Sequence, residues 1–303
     1  MTIYSESLDF HKKLKGKIEV RPTFSFSSKK ALSLSYTPGV AAVSKKIFES
    51  PKSVFDLTMK GNSVAIVTDG SRVLGLGNIG ASAAIPVMEG KAALFKEYGN
   101  VNAFPICVNS KSTEELVNVV KLISPVFGGV NLEDIEVPRC FEVEAQLQGL
   151  GIPVMHDDQH GTAIAVLAAV INACKVSKKR LEDVNVVISG AGAAGSAIAR
   201  LLLCLGIDRS ICTSVKSICV VDSSGILYPG RMGVGGYKAE LALHTNKDRK
   251  TGSLADALVG ADVFIGVSKG RLVSREMVSS MAKNPIVFAL SNPEPEITPS
   301  DAL

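Results

Sequence analysis

A short β-branched run, Val184 to Ile188, leads into Gly190-Ala191-Gly192-Ala193-Ala194-Gly195 and a helix of small residues, Ala193 to Leu205. In such a strand–turn–helix unit the first two glycines permit a tight turn and the close approach of a pyrophosphate. The third lets helix pack on strand, and the helix N-terminus attracts phosphate. A following strand, Ser217 to Asp222, ends on an acid placed to accept a hydrogen bond from a ribose 2′-OH. Asp222 therefore favours NAD over NADP, because it would repel a 2′-phosphate; nearby Arg231 or Lys238 could instead bind one. The cofactor-binding residues expected here are Gly190, Gly192, Ala193, Ala194, Gly195 and Asp222.

Around this unit the pattern alternates. Strands are predicted at 184–188, 217–222, 263–267 and 286–290, with helices at 193–205, 254–259 and 273–283. Alternation of this kind implies an α/β fold, a doubly wound Rossmann-type parallel sheet covered on both faces. Ahead of it lies a less regular half. It reads as helix or loop to residue 62, a hairpin over Ser63 to Leu74 turning at Asp69-Gly70, and a helix from Pro86 to Tyr98. Then come a strand at Ala103 to Val108, a capping box Ser112 to Glu115 opening a helix to Ile123, and a strand at Val126 to Val130. A helix from Pro138, a strand Ile152 to Met155 and an apolar helix His160 to Cys174 follow. The expected division is a smaller mixed α/β domain for substrate and metal over residues 1–157, then a dinucleotide-binding domain over 158–303. A second GxGxxG, Gly75 to Gly80, follows the hairpin and has no strand-terminal acid at the right distance. It reads as a loop of close backbone approach near the substrate.

Length and composition narrow the function. The 303 residues suffice for two domains with a sizeable core. A net charge of +4 without a long basic block, 5% aromatic residues and no Trp argue against nucleic acid as a partner. No apolar run reaches 18 residues, and Thr162 to Cys174 is too short to span a bilayer, so no membrane partner is expected. Residues 1–20 lack the apolar core of a secretory signal. Six cysteines without a CxxC pair read as reduced, buried thiols, which implies a reducing, cytoplasmic setting.

Two acidic pairs, Glu133-Asp134 and Asp157-Asp158, supply carboxylates suited to Mg²⁺ or Mn²⁺. Surface acids are usually just solvated, but Asp157-Asp158 follows the apolar strand at 152–155, at the carboxyl end where ligands gather in open α/β sheets. His156 and His160 flank them and read as polar packing, with metal ligation as the alternative.

The ordered series Ser35-Tyr36-Thr37-Pro38-Gly39-Val40-Ala41, Thr68-Asp69-Gly70 through Gly80, Glu89-Gly90-Lys91, Asn131-Leu132-Glu133-Asp134-Ile135, His156 through Ala163 and Phe288 through Pro293 resembles that of the malic enzymes in their short bacterial-type form. The resemblance covers essentially the whole chain. It implies divalent-metal-dependent oxidative decarboxylation of L-malate to pyruvate and CO₂, with NAD or NADP reduced. On the matching motifs Glu133, Asp134 and Asp158 would ligate the metal, and Asp157 would be a supporting or proton-handling acid. Lys91 and Tyr36 would form the acid–base pair: Lys91, its ammonium destabilised by desolvation or a nearby cation, takes the C2 hydroxyl proton, and Tyr36 protonates C3 of enolpyruvate. Arg72 would grip a malate carboxylate, and Asn292 would contact substrate or nicotinamide.

The resemblance also implies a homodimer or higher homo-oligomer, in which Tyr36 serves a neighbouring subunit's site. Family members continue past this end. Thr298-Pro299-Ser300-Asp301 starts a helix that Leu303 cuts short, so the dinucleotide-binding domain is expected to be incomplete. Two alternatives stay open: a malolactic or oxaloacetate-decarboxylating relative, and an inactive dinucleotide-binding regulatory chain.

Overall fold

The computed structural model describes residues 2–73 and 75–303. The chain divides into two compact units, residues 1–155 and 156–303. In the first, β1 (Ser63–Thr68), β2 (Asn102–Cys107), β3 (Gly129–Leu132) and β4 (Val154–His156) form a sheet in the order β2-β1-β3-β4. Central β1 is parallel to both neighbours. It is buried along most of its length, so it reads as a continuous apolar run, with Ala65, Ile66 and Val67 fully enclosed. Helix Gly80–Gly99 covers one face, packing Met88 and Ala92 with Ile66 and Ala103.

The second unit has β5 (Asn185–Ser189), β6 (Ser217–Asp222), β7 (Gly225–Ile226), β8 (Val263–Gly266) and β9 (Ile286–Ala289), ordered β7-β6-β5-β8-β9. All pairs are parallel except the short β6–β7 hairpin. Successive residues point to opposite faces. Val186 and Ile188 join Ile198 and Leu202 of helix Ala193–Leu202, while Val187 joins Ala257, Leu258 and Val278 on the other side. The sheet is therefore covered on both faces, as a doubly wound Rossmann-type fold requires.

Several expectations need correction. Ser63 to Leu74 is not a hairpin: β1 stops at Thr68, and Val73 makes only an isolated bridge to Gly77, while Leu74 lies outside the described residues. The helix expected from Pro86 begins at Gly80 and carries Pro86 inside it. The capping box at Ser112 is half formed. Its Oγ accepts from Glu115 N at 3.3 Å, but the Glu115 carboxylate takes the Ser110 hydroxyl instead. The six thiols are four: Cys204 and Cys212, eight residues apart, form a disulfide where the chain turns back after helix Ala193–Leu202. Finally, the apolar helix runs from Asp157 to Ser177, 21 residues, long and apolar enough by length and composition to cross a membrane. Its Ala163, Val166, Val170 and Cys174 are buried in the core of the second unit.

Candidate active site

In the first unit, Lys91, Glu133 and Asp134, three of the residues singled out by the motifs, lie where β1 and β3 end. Glu133 N donates to Val67 O at 2.9 Å, which extends the β1–β3 ladder and fixes the acid just past the sheet. Asn131 Nδ2 donates to Glu133 Oε2 at 2.7 Å, and Lys91 Nζ, from helix Gly80–Gly99, lies 2.9 Å from Glu133 Oε1. Glu133 is buried, and the Lys91 side chain keeps 24% of its surface open. Asp134 adopts a left-handed backbone, φ +53°, and its carbonyl accepts from Arg72 N at 3.0 Å. That bond ties the loop after β1 to the loop after β3 and leaves the Arg72 side chain exposed.

Beneath these residues lies an ion pair that motif reading did not single out. Asp69, directly after β1, pairs with Arg139, and both are buried. Asp69 Oδ1 also accepts from Ser71 N at 3.0 Å and Ser71 Oγ at 2.6 Å, and Ser71 Oγ accepts from Glu136 N at 2.8 Å. Removing one partner of a buried pair costs about 3–5 kcal/mol, so Asp69 and Arg139 brace the loops that carry Arg72, Glu133 and Asp134. Asp69 was visible in the Thr68-Asp69-Gly70 motif; nothing in the sequence marked Arg139 as its partner. Tyr36 does not join this buried cluster: it ends helix Lys29–Ser35 and is 66% exposed.

The second unit presents the dinucleotide turn. Gly190, φ +121°, donates its N–H to Val221 O at 2.8 Å. A Cβ on Gly195 would overlap the Gly190 carbonyl, whereas a Cβ on Gly192 would meet no atom within 4 Å. The third glycine is therefore a packing requirement and the second faces open space at the helix N-terminus, where Ala193 and Ala194 form the first turn. Across the edge of β6, Asp222 Oδ2 accepts from Arg231 Nη2 at 2.7 Å and Lys238 Nζ at 2.8 Å, and Oδ1 accepts from Ser224 N at 2.9 Å. Burial opposes ionisation of Asp222, but these donors prevail and hold its carboxyl at about 2. Its share of stability is present above the ordinary carboxyl range and is lost as pH falls from about 4 towards about 2. Asp157 and Asp158 open helix Asp157–Ser177, and fully buried His156 brings Nε2 within 3.7 Å of Asp158 Oδ2. Asn292 lies exposed in the loop after β9.

Residues 15–148 match the profile of the malic enzyme N-terminal domain, and residues 159–303 match that of the malic enzyme NAD-binding domain. The chain belongs to the malic enzyme family. It is 52% identical to the bifunctional malic/malolactic enzyme of Bacillus subtilis over 100% of this chain and 72% of that one. The NAD-dependent malic enzyme of Geobacillus stearothermophilus is 51% identical over 94% of this chain, which spans 58% of that relative. The crystal structure of the NAD-dependent malic enzyme from Thermotoga maritima superposes with a TM-score of 0.91 at 45% identity, covering 98% of this chain and 77% of the other. Within this malic enzyme chain, the glycine turn and Asp222 lie in the second profile, and Tyr36, Arg72, Lys91, Glu133 and Asp134 in the first.

Proposed function

We propose that the chain oxidatively decarboxylates L-malate to pyruvate and CO₂, reducing NAD⁺ or NADP⁺ with Mg²⁺ or Mn²⁺ bound. The observation that carries this reading is the Lys91–Glu133 pair at the carboxyl end of a parallel sheet, in a chain 52% identical over its length to a bifunctional malic/malolactic enzyme. Glu133, Asp134 and Asp158 would hold the metal. The donor set fits, since all three offer hard oxygen ligands and Asn131 orients Glu133. A bound ion there supplies Lewis-acid stabilisation of developing negative charge. Gly190 to Gly195 and Asp222 would hold the dinucleotide, which supplies the hydride acceptor.

The chain's own residues do the rest. Lys91 takes the proton from the C2 hydroxyl, with Glu133 holding its amine in position. Arg72, fixed through its backbone and free at its guanidinium end, grips a carboxylate. Tyr36 delivers a proton to C3. Asp157 supports the metal ligands or handles protons, and Asn292 contacts substrate or nicotinamide. The exposure of Tyr36 favours a site completed by a second copy. Helices Ile3–Leu14, Lys29–Ser35 and Val40–Glu49 contain no buried residue, and Phe10, Phe24, Phe26 and Phe48 stand exposed around them. A homodimer covering these surfaces is the assembly we propose; the Cys204–Cys212 disulfide departs from the six reduced thiols on which the cytoplasmic expectation rested.

The test is absorbance at the reduced-nicotinamide band with L-malate and Mn²⁺. An EDTA-sensitive rise with pyruvate as product is expected. A flat trace with either dinucleotide, persisting at high Mn²⁺, sinks the reading. Because the Bacillus subtilis relative is named malic/malolactic, a second product is also proposed: lactate, formed without net NADH.

Cofactor choice rests on Asp222. Both cations that could meet a 2′-phosphate are already engaged by its carboxylate, so NAD⁺ is the proposed substrate. Asp222→Ser releases Arg231 and Lys238. The ratio of kcat/KM for NADP⁺ over NAD⁺ is expected to rise by about ten-fold or more. An unchanged ratio would remove Asp222 from the selectivity argument.

A further inference from the structure

One buried carboxylate has no part in the chemistry above. Glu296 is fully enclosed, 0% exposed, in a loop that follows β9. Burying a carboxylate is costly unless it is well hydrogen-bonded. Its two oxygens face two different loops: Oε1 accepts from Ser268 N and Oε2 from Ser291 N, each at 3.2 Å. Ser268 follows β8, and Ser291 precedes Asn292. A glycine makes room for the group, because a Cβ on Gly266, the last residue of β8, would overlap the Glu296 carboxylate.

The backbone joins the same segments. Val273 N donates to Glu296 O at 3.0 Å, Arg271 N to Pro295 O at 2.9 Å, and Leu290 N to Gly266 O at 3.0 Å. The β8 loop in turn presses on the dinucleotide turn. Ser268 Oγ lies 3.0 Å from Ser189 Oγ, and a Cβ on Gly190 would fall 2.8 Å from Val267 O. Three loops at the carboxyl edge of one parallel sheet are thus joined; the exposed Arg271–Glu294 pair also links the loops after β8 and β9, and Glu296 is the fully buried side chain that does so. Both N–H donors need an acceptor, which a carboxyl group offers on two oxygens and an amide on only one.

We infer that Glu296 is a positioning residue, which sets the loop bearing Asn292 against the dinucleotide turn and so fixes the nicotinamide and substrate end of the site. This rests on the malic enzyme reading of Asn292. The adenosine end, held by Gly190 to Gly195 and Asp222, stands on the loops after β5 and β6, which the Glu296 carboxylate does not itself bond, so its hold on ligand is expected to change far less.

The experiment is a double-mutant cycle of Glu296→Gln and Asn292→Ala in the full chain, with ADP-ribose and NADH titrated against each variant. Glu296→Gln is expected to lower kcat/KM for malate by about ten- to a hundred-fold, the scale of a misplaced contact. ADP-ribose binding should stay within about two-fold while NADH binding weakens, and the double variant should be no worse than Asn292→Ala alone. Multiplying losses, equal weakening of ADP-ribose and NADH, or a wild-type Glu296→Gln chain would each overturn the inference. Glu296→Asp, which keeps the charge, replaces Gln if that variant fails to fold, with the same outcomes deciding. If the unmodified chain turns over no malate, the function reading fails. The ratio of NADH to ADP-ribose affinity then still decides the role of Glu296.

Discussion

Lys91→Ala is expected to lower malate-dependent nicotinamide reduction by about a thousand-fold, within the range a positioned general base contributes. The pair with buried Glu133 also gives the fold a stake in this side chain, so a melting temperature accompanies each rate. The Lys91 side chain keeps a quarter of its surface open, and Met88 and Ala92 anchor helix Gly80–Gly99 in the core. NADH affinity should be unchanged, because Lys91 is not among the residues proposed to hold the dinucleotide. Lys91→Arg should rescue poorly, since a guanidinium stays protonated and cannot accept the hydroxyl proton. Steady-state rates with saturating NAD⁺ and Mn²⁺ give the comparison. A loss smaller than ten-fold would mean that another group takes the proton.

Gly195→Ala and Gly192→Ala form the second test, and they separate packing from ligand approach. At Gly195 the new methyl meets the Gly190 carbonyl, so the helix must move off the turn. Overpacking of this kind costs about 1–3 kcal/mol, and the displaced helix N-terminus should weaken NADH binding by about a hundred-fold. At Gly192 the protein offers no obstacle, and its backbone, φ −86° and ψ −159°, suits any residue. The melting temperature should therefore hold while NADH binding falls, because the methyl occupies space the pyrophosphate needs. Fluorescence titration beside thermal melts distinguishes the two. Equal melting temperatures for both variants would remove the packing role of Gly195, and wild-type NADH affinity in Gly192→Ala would place the pyrophosphate elsewhere.

The second half of the chain was legible because buried parallel strands announce themselves. The run at 184–188 maps on β5, and Ser217 to Asp222 is β6 to the residue. The first half misled where one local signal serves two structures. Asp69-Gly70 turns a hairpin in many chains, yet here β2 and β3 already occupy both edges of β1, so no returning strand can pair. Pro86 looked like a helix start because its ring is tolerated there. Tertiary packing of Ala81, Ala84 and Met88 instead carries the helix through it. Residue types at the site were readable, but their partners were not. Nothing local ties Arg139 to Asp69 or Glu296 to Ser268, because such contacts depend on which strand ends the topology brings side by side. The disulfide escaped for the same reason, with its two cysteines meeting only once the chain reverses after its helix.

Gly161, in contrast, acts within its own helix, and what it implies reaches past packing. A Cβ at that position would overlap Oδ1 of Asp157, one helical turn earlier. The acid owes its charge to one codon and its orientation to another, where the useful property is a missing atom. Change at position 161 can therefore shift a carboxylate without altering any titratable group. A lineage that kept every acid of the site could still drift in activity through this silent neighbour.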